Sequence, residues 1–259
     1  MGNLFEEIYK YRQMIFSLVH KDLRGRYKGS VLGFLWTFLN PLLQLLVYTF
    51  LFSIVLRQGI EKYYLFLFVA LVPWIFFSTC VAGGANCVIG YGDLVKKIYF
   101  PREVLPISFT ISQFINMIYS FVVVFLVLAV TGYGFNFLAI TFLPLIMAVE
   151  FLLALGFVLL FCAITVYLRD VGYFLGIITM AWQFLSPVMY PMSFVPPRFV
   201  WFLKLNPMVS IINAYRDILY YKQIPDVTTL LSAILMGIFF LVLGEIVFKK
   251  LQKGFAENL

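Results

Sequence analysis

Residues 104–149 read VLPISFTISQFINMIYSFVVVFLVLAVTGYGFNFLAITFLPLIMAV and carry no charged side chain over 46 positions. A single helix of that length would reach about 69 Å at about 1.5 Å per residue, more than twice the roughly 30 Å of a bilayer's hydrocarbon core. The stretch must fold back on itself. Its one cluster of turn-forming residues is Thr131-Gly132-Tyr133-Gly134-Phe135-Asn136, so the reversal belongs there. Two membrane spans result, about 105–130 and 138–167, the second running on through Glu150.

The same length test applied outward finds neutral runs at 31–56, 63–92, 171–197 and 227–244. Together these predict an all-α integral membrane protein with six transmembrane helices, at about 31–56, 63–86, 105–130, 138–167, 172–190 and 227–248. Composition agrees. Of the 259 residues 63% are apolar, 19% aromatic and only 12% charged, with a mean hydropathy of +0.98. A soluble domain carries about 25% charged residues. The net charge of +7 therefore has no soluble basic surface on which to hold nucleic acid, and no nucleic-acid partner is expected.

Positive charge instead reports orientation. One set of alternate loops holds Lys10, Arg12, Lys21, Arg24, Arg26, Lys28, Lys96, Lys97, Arg102, Arg169, Lys249, Lys250 and Lys253; the other holds only Arg57, Lys62, Arg198, Lys204, Arg216 and Lys222. Both termini are expected in the cytoplasm. The opening stretch, with Glu6 and Glu7 and no apolar core before position 31, does not read as a cleavable signal. Cys80, Cys87 and Cys162 lie in or beside apolar runs without metal or disulfide spacing, and read as buried free thiols.

Three segments are not simple spans. Within 1–28, Leu4, Ile8, Tyr11, Ile15 and Leu18 recur at helical steps, while Glu6, Glu7, Lys10, Gln13, Ser17 and Lys21 fall on other faces. With the basic tail that follows, this predicts an amphipathic helix in the interface plane, serving as an anchor or as a dock for a cytoplasmic partner. The excursion GDLVKKIYFPREVLP, 92–106, predicts a short helix over 93–99 capped by Asp93, then Ile98, Tyr99 and Phe100 shown to water amid charge. Apolar residues ringed by charge suit a protein contact. Between Pro187 and Pro225 stand six of the 11 prolines, interleaved with aromatic residues. There Asn206 caps and Pro207 opens a helix whose stripe is Met208, Ile211, Ile212, Tyr215, Ile218 and Leu219, with Ser210, Asn213, Arg216 and Asp217 opposite. A helix this short cannot cross a bilayer, so 191–221 reads as a re-entrant outer hairpin whose first arm is 197–205.

Inside the spans Glu150 is the one ionisable group near mid-membrane, placed either in a helix-packing hydrogen bond or on a pore. Pro41, Pro73 and Pro144 are expected to kink or break their helices, and Ala82-Gly83-Gly84-Ala85 to allow close approach at a helix or subunit interface. The chain has no GxxxxGK[ST] phosphate loop, no His/Asp/Glu cluster for hydrolysis or metal binding, and a lone His20. It reads as non-catalytic, with no metal and no cofactor of its own.

Four segments in order, RYKGSVLGFLWTFLNPLLQLLVYTFLFS (26–53), LVKKIYFPREVLPIS (94–108), YLRDVGYFLG (167–176) and SPVMYPMSFVPPRF with LNPMVSIINAYRDILY (186–220), resemble the membrane subunit of type-2 ABC exporters of lipid-linked polysaccharides such as O-antigen, or of teichoic acids. The resemblance implies a homodimer with two copies of a separate ATP-hydrolysing subunit, where ATP and Mg would bind, in a bacterial inner membrane. It also implies that Asp93, Lys96, Lys97, Ile98, Tyr99, Phe100 and Arg102, with Arg169 and Asp170 nearby, couple to that ATPase. The hairpin carrying Pro196, Pro197, Asn206, Pro207, Tyr215 and Arg216 would form the exit. Aromatic planes slide past sugar rings through shallow repeated contacts, which makes Trp36, Tyr48, Trp74, Phe77, Tyr119, Trp182, Tyr190 and Trp201, with Glu150, the candidate path. A permease for a small drug or lipid is the near alternative. An integral membrane glycosyl or acyl transferase is the alternative from another class, and would need clustered acids or histidines at one membrane face.

Overall fold

The computed structural model describes residues 9–25, 29–55 and 59–259. Leu4, Glu6, Glu7, Ile8, Arg26, Lys28 and Arg57 lie outside the described residues. Described elements are helical throughout, in the order α1 (Arg12–Gly25), α2 (Trp36–Thr49), α3 (Tyr63–Gly84), α4 (Gly92–Lys97), α5 (Val104–Val130), α6 (Phe137–Ile140), α7 (Leu143–Tyr167), α8 (Asp170–Phe184), α9 (Pro197–Lys204), α10 (Pro207–Leu219), α11 (Val227–Leu251) and α12 (Phe255–Asn258). A tight turn at Gly33–Leu35 leads into α2, and a wider π turn at Phe50–Val55 prolongs it.

Five stretches are long and apolar enough to cross a membrane: Gly33–Val55, Tyr63–Gly84, Val104–Val130, Phe137–Tyr167 and Val227–Asn258. The reversal falls where the turn residues stand. Gly132 and Gly134 take φ of +62° and +75°, a region closed to most side chains, and the Tyr133 amide donates back to the Leu128 carbonyl (3.1 Å). Asn136 then caps the next helix, accepting from the Leu138 and Ala139 amides at 3.0 and 3.4 Å.

The expected fifth span, 172–190, is not one continuous helix. α8 stops at Phe184, and its 15 residues reach only about 22 Å. The segment nevertheless runs the height of its neighbour α3. At one end Gly172 sits against the Asn86 amide, and at the other the Tyr63 hydroxyl donates to the Met189 carbonyl (3.0 Å). Non-helical backbone from Leu185 to Tyr190 completes the passage. The reason is local: Pro187 and Pro191 offer no amide donor to continue a helix.

α3 is the axis of the bundle, buried along nearly its whole length, with α5, α7, α2, α8 and α10 against it. α7 and α11 meet almost backbone to backbone. A Cβ on Gly156 would come within 2.5 Å of the Phe240 carbonyl, and one on Gly244 would collide with the carbonyl of Gly156. The Ala82–Ala85 run performs a similar service within the chain, where a Cβ on Gly84 would lie 2.8 Å from Val158. Pro41 and Pro73 lie inside their helices, but Pro144 stands in the first turn of α7, where a missing amide is harmless, so it starts a helix rather than breaking one.

The two ends of the bundle differ in chemistry. At one, α1, the 92–103 loop, Tyr167 and the C-terminal turn gather: the Ser112 hydroxyl donates to Asp22, Tyr167 donates to the Leu251 carbonyl (2.7 Å), and Leu259 packs on Gly92. Both described ends of the chain therefore lie at this face. At the other, Glu61, Lys62 and Tyr133 meet Tyr220 and Lys222 of the 186–226 segment.

Candidate functional site

The first face carries the proposed coupling element. α4 is six residues long and ends at Lys97, where Ile98 turns to extended backbone. Asp93 lies in its first turn, where its charge opposes the helix dipole, and Tyr91 rather than Asp93 occupies the cap. Beyond the helix, Ile98 is 56% and Tyr99 95% exposed, while Phe100 is 5% exposed and turned into the core. The knob is thus Ile98 and Tyr99, flanked by Lys96 and Lys97; Phe100 is its root. Arg102 also faces inward, donating to the Gln252 carbonyl and lying over the Phe255 ring, and Gln252 in turn donates to Glu103 (2.9 Å). The loop is therefore tied to the C-terminal turn, and a basic hollow of about 680 Å³ opens between them, rimmed by Lys10, Lys96, Lys97, Lys249 and Lys253. Arg169 and Asp170 stand exposed at the start of α8 on this face.

α1 lies beside it. Tyr11, Met14, Ile15 and Leu18 pack inward, whereas Tyr9, Phe16, Lys21 and Arg24 stay outside, which is the amphipathic division expected of that segment. The Lys21 ammonium sits 4.7 Å above the Tyr91 ring, joining α1 to the foot of α4.

At the opposite face the hairpin forms as two short helices, α9 and α10. Asn206 caps α10 by accepting from the Met208 amide (3.0 Å), and its own amide reaches Ser186 (2.8 Å). Arg216, expected on the polar side of α10, is only 2% exposed. Its guanidinium lies 3.6 Å over the Phe66 ring and donates to the carbonyls of Val188 (2.6 Å), Tyr190 (3.3 Å) and Phe66 (3.5 Å). These acceptors explain the burial: the unwound 185–190 stretch has carbonyls without helical partners, and the guanidinium fork supplies donors at two of them. Hairpin and broken span are thereby one unit. Around it, Lys222 and Lys62 stand 4.0 and 4.9 Å over the Tyr133 ring, and Tyr133 donates to the Tyr220 carbonyl (2.8 Å). Burial lifts the Tyr133 phenol above its ordinary range, with the Glu61 carboxylate acting in the same direction, so it remains a donor at neutral pH. This cation–tyrosine rim was not anticipated from the sequence, although two lysines flanking spans on the sparsely charged side were its signal.

The candidate path residues do not converge. Trp74 and Phe77 are 2% and 0% exposed, and Phe77 and Trp182 close a cluster of edge-on rings with Phe157, at 5.3 to 5.6 Å between centroids. Trp74 and Phe77 are core, not wall. Glu150 is likewise sealed, with Oε2 accepting from the Tyr215 hydroxyl at 2.6 Å, so it fastens α7 to α10 rather than facing a pore. Trp36 and Tyr119 stand near the first face, 40% and 36% exposed, Tyr119 edge-on to Phe34. Tyr48 and Tyr190 are half-buried, and Trp201 projects from α9. Pro196 and Pro197 open α9, as Pro207 opens α10.

Among the described residues no group of His, Cys, Asp or Glu is placed to hold a metal ion. Comparison with known proteins supplies the identity. A model of the ABC-2 type transporter family matches residues 13–220. Aligned over the full length of both chains, the protein is 36% identical to the O-antigen export system permease protein RfbA of Myxococcus xanthus. It is 30% identical to RfbA of Klebsiella pneumoniae, over all of this chain and 97% of that protein. Against the polysialic acid transport protein KpsM of Escherichia coli it is 26% identical, over 78% of this chain and 79% of the other. Membership implies a multi-pass transport subunit, not an enzyme, that works with an ATPase partner. By its long apolar helices and its match from residue 13 to residue 220, this chain belongs to the ABC-2 type transporter family.

Proposed function

We propose that the chain is the permease of an ATP-driven exporter that moves a lipid-linked cell-surface polysaccharide out across a bacterial inner membrane. The observation that carries this reading is the end-to-end similarity to permeases named for O-antigen export. In this reading two copies form a homodimer and bind two copies of a separate nucleotide-binding subunit, which holds the ATP and Mg. The surfaces suit it. α2 shows Leu43, Leu46 and Val47 to the outside, the π turn after it Phe50 and Ile54, and α8 Tyr173, Phe174, Ile177 and Met180. Both flank the buried α3, and a second copy laid against them would enclose a passage. In the same reading the α1–α4 face and both termini lie in the cytoplasm, which the excess of Lys and Arg on that face supports.

The mechanism follows from how the knob is mounted. A push on Ile98 and Tyr99 is received by α4, which rests on the C-terminal turn through Leu259 and Gly92, and by Arg102 and Glu103, which grip Gln252. α5 begins at the next residue, Val104, and α11 ends beside Gln252, so the displacement enters two long spans directly. At the far end the hairpin is bonded to the broken span through Arg216 and Asn206, and moves with it.

Deletion of the chromosomal copy tests the function. Surface polysaccharide, measured by extraction and gel electrophoresis, should fall at least tenfold while lipid-linked chains accumulate inside, and plasmid-borne wild type should restore export. Unchanged surface glycan in the deletion strain would overturn the reading.

A further inference from the structure

We propose that the groove between α1, the entry to α2 and α5 is a binding site for the headgroup of an anionic phospholipid, with an acyl chain lying against Phe34 and Tyr119. The groove measures about 1140 Å³ and is walled by Phe16, Ser17, His20 and Arg24 of α1, by Phe34 just before α2 and by Tyr119 of α5. It stands to one side of the surfaces that a second copy would cover. On α2 those begin at Leu43, about 13 Å further along the chain's helical path, and α8 packs on α3 and α7.

The two walls match the two halves of a phospholipid. Ser17, His20 and Arg24 recur at steps of three and four, so a hydroxyl, an imidazole and a guanidinium share one face of α1. Tyr11, Met14, Ile15 and Leu18 form the face packed on the core, which leaves His20 and Arg24 exposed. An Arg fork can hold two phosphate oxygens at once. The second wall is aromatic. Asp22, in the last turn of α1, accepts from the Ser112 hydroxyl, which fixes α1 at that level of α5. Tyr119 lies about 10 Å further along α5 into the bilayer, edge-on to Phe34 at 5.1 Å between centroids. Donors at the level of an interfacial helix, with rings deeper in, reproduce the step from headgroup to chain at that boundary.

The charges nearby are sorted in the same sense. Lys21 also borders the groove, but its ammonium sits over the Tyr91 ring at the foot of α4. The Asp22 carboxylate lines a separate cavity shared with Gly83, Asn86 and Tyr91, so it does not confront a headgroup in the groove. Among the described residues no Asp or Glu borders the groove. Basic residues at a membrane surface attract anionic lipid. A zwitterionic headgroup would bring its own cation against Arg24, so the site selects a headgroup of net negative charge. Phe34 and Tyr119 then serve a lipid chain rather than the exported polymer.

The test uses the permease purified with its ATPase subunit and delipidated in detergent, with lipids added back and the bound species counted by native mass spectrometry. Dioleoyl phosphatidylglycerol should bind the wild type several times more tightly than dioleoyl phosphatidylcholine. Arg24→Gln should weaken the phosphatidylglycerol titration about fivefold, the contribution of one basic residue at an anionic lipid surface, and Arg24→Lys should keep most of the binding. Phe34→Ala should weaken both lipids alike, because it removes a chain contact. Lys250→Gln, exposed at the same end of the molecule and outside the groove, should change nothing. Arg24 and Lys250 are surface residues, so the ATPase subunit should co-purify with each variant. Unchanged binding in Arg24→Gln would overturn the site. Equal losses in Arg24→Gln and Lys250→Gln would also overturn it, since they would mean attraction to a basic surface and no more. Two competitors identify the source of the phosphate. Glycerol phosphate at matched concentration should leave the phospholipid in place; displacement would mean that no chain is held on Phe34, and the proposal would fail. Polyprenyl phosphate that displaced phosphatidylglycerol at a lower concentration would give the groove to the carrier of the exported chain, and would overturn the phospholipid assignment. The polysaccharide reading stands or falls separately, on the deletion strain.

Discussion

Tyr99 and Phe100 are adjacent aromatic residues with opposite fates, and no periodicity distinguishes them in the sequence. Tyr99 is 95% exposed and Phe100 5%. Both fall beyond the end of α4, where backbone direction is set by the closing of the loop on the C-terminal turn, and that closure depends on residues about 150 positions away. Truncating them should separate docking from folding. Tyr99→Ala is expected to leave thermal stability in detergent unchanged and to reduce ATPase stimulation in the assembled complex severalfold, as the loss of an exposed interface aromatic does. Phe100→Ala is expected to cost about 3–5 kcal/mol of stability, as a buried ring does, and to lower the melting temperature before any coupling assay is run. Equal melting temperatures for the two variants would contradict the assignment of knob and root. Arg216 teaches the same lesson at the other face: its sequence position pointed to solvent, and only the unpaired carbonyls of Val188 and Tyr190 explain why it turns inward.

Among elements, the pair α7 and α11 shows what small residues do inside a bilayer. With lipid as apolar as leucine, two helices gain from contact mainly through close van der Waals approach, so glycine at the crossing matters more than bulk. Gly156 and Gly244 provide that crossing, and Gly237 against Val149 continues it. Gly83 and Gly84 stand out in the sequence because they are adjacent, whereas the Gly156–Gly244 crossing joins residues of different helices and leaves no local mark. Gly244→Ala places a methyl group on the Gly156 carbonyl, and the expected cost is about 1–3 kcal/mol, read as a lowered melting temperature of the purified permease. Gly90→Ala, at a position where an added methyl group meets nothing within 4 Å, is the control expected to change nothing. The same element scale explains the broken fifth passage. Counting neutral residues measures how far a segment can reach, not whether its backbone stays helical, and the prolines at 187 and 191 stop the helix inside a run that is otherwise apolar enough.

For the whole molecule, orientation is the claim with the widest reach. Cys80, Cys87 and Cys162 are buried, so a single introduced thiol reports its own surroundings. In intact cells a membrane-impermeant maleimide is expected to label Ser193→Cys on the outer hairpin, and to label Lys253→Cys only after the membrane is opened. The reverse pattern would invert the topology and remove the coupling face from the cytoplasm. The sequence by itself determined the membrane class, the location of five long spans, the reversal at Thr131–Asn136, the capped helix after Asn206 and the amphipathic α1. Each depends on length, composition or spacing within a few neighbouring residues, and the bilayer's thickness and low polarity act on all of them alike. Only the tertiary structure decided that Trp74 and Phe77 are core, that Glu150 meets Tyr215, and that Arg216 closes over Val188 and Tyr190. Inside a membrane protein, apolar and aromatic side chains serve equally well against lipid, against protein or along a passage. What chooses among these is the partner brought from a distant part of the chain, and no local pattern encodes that partner.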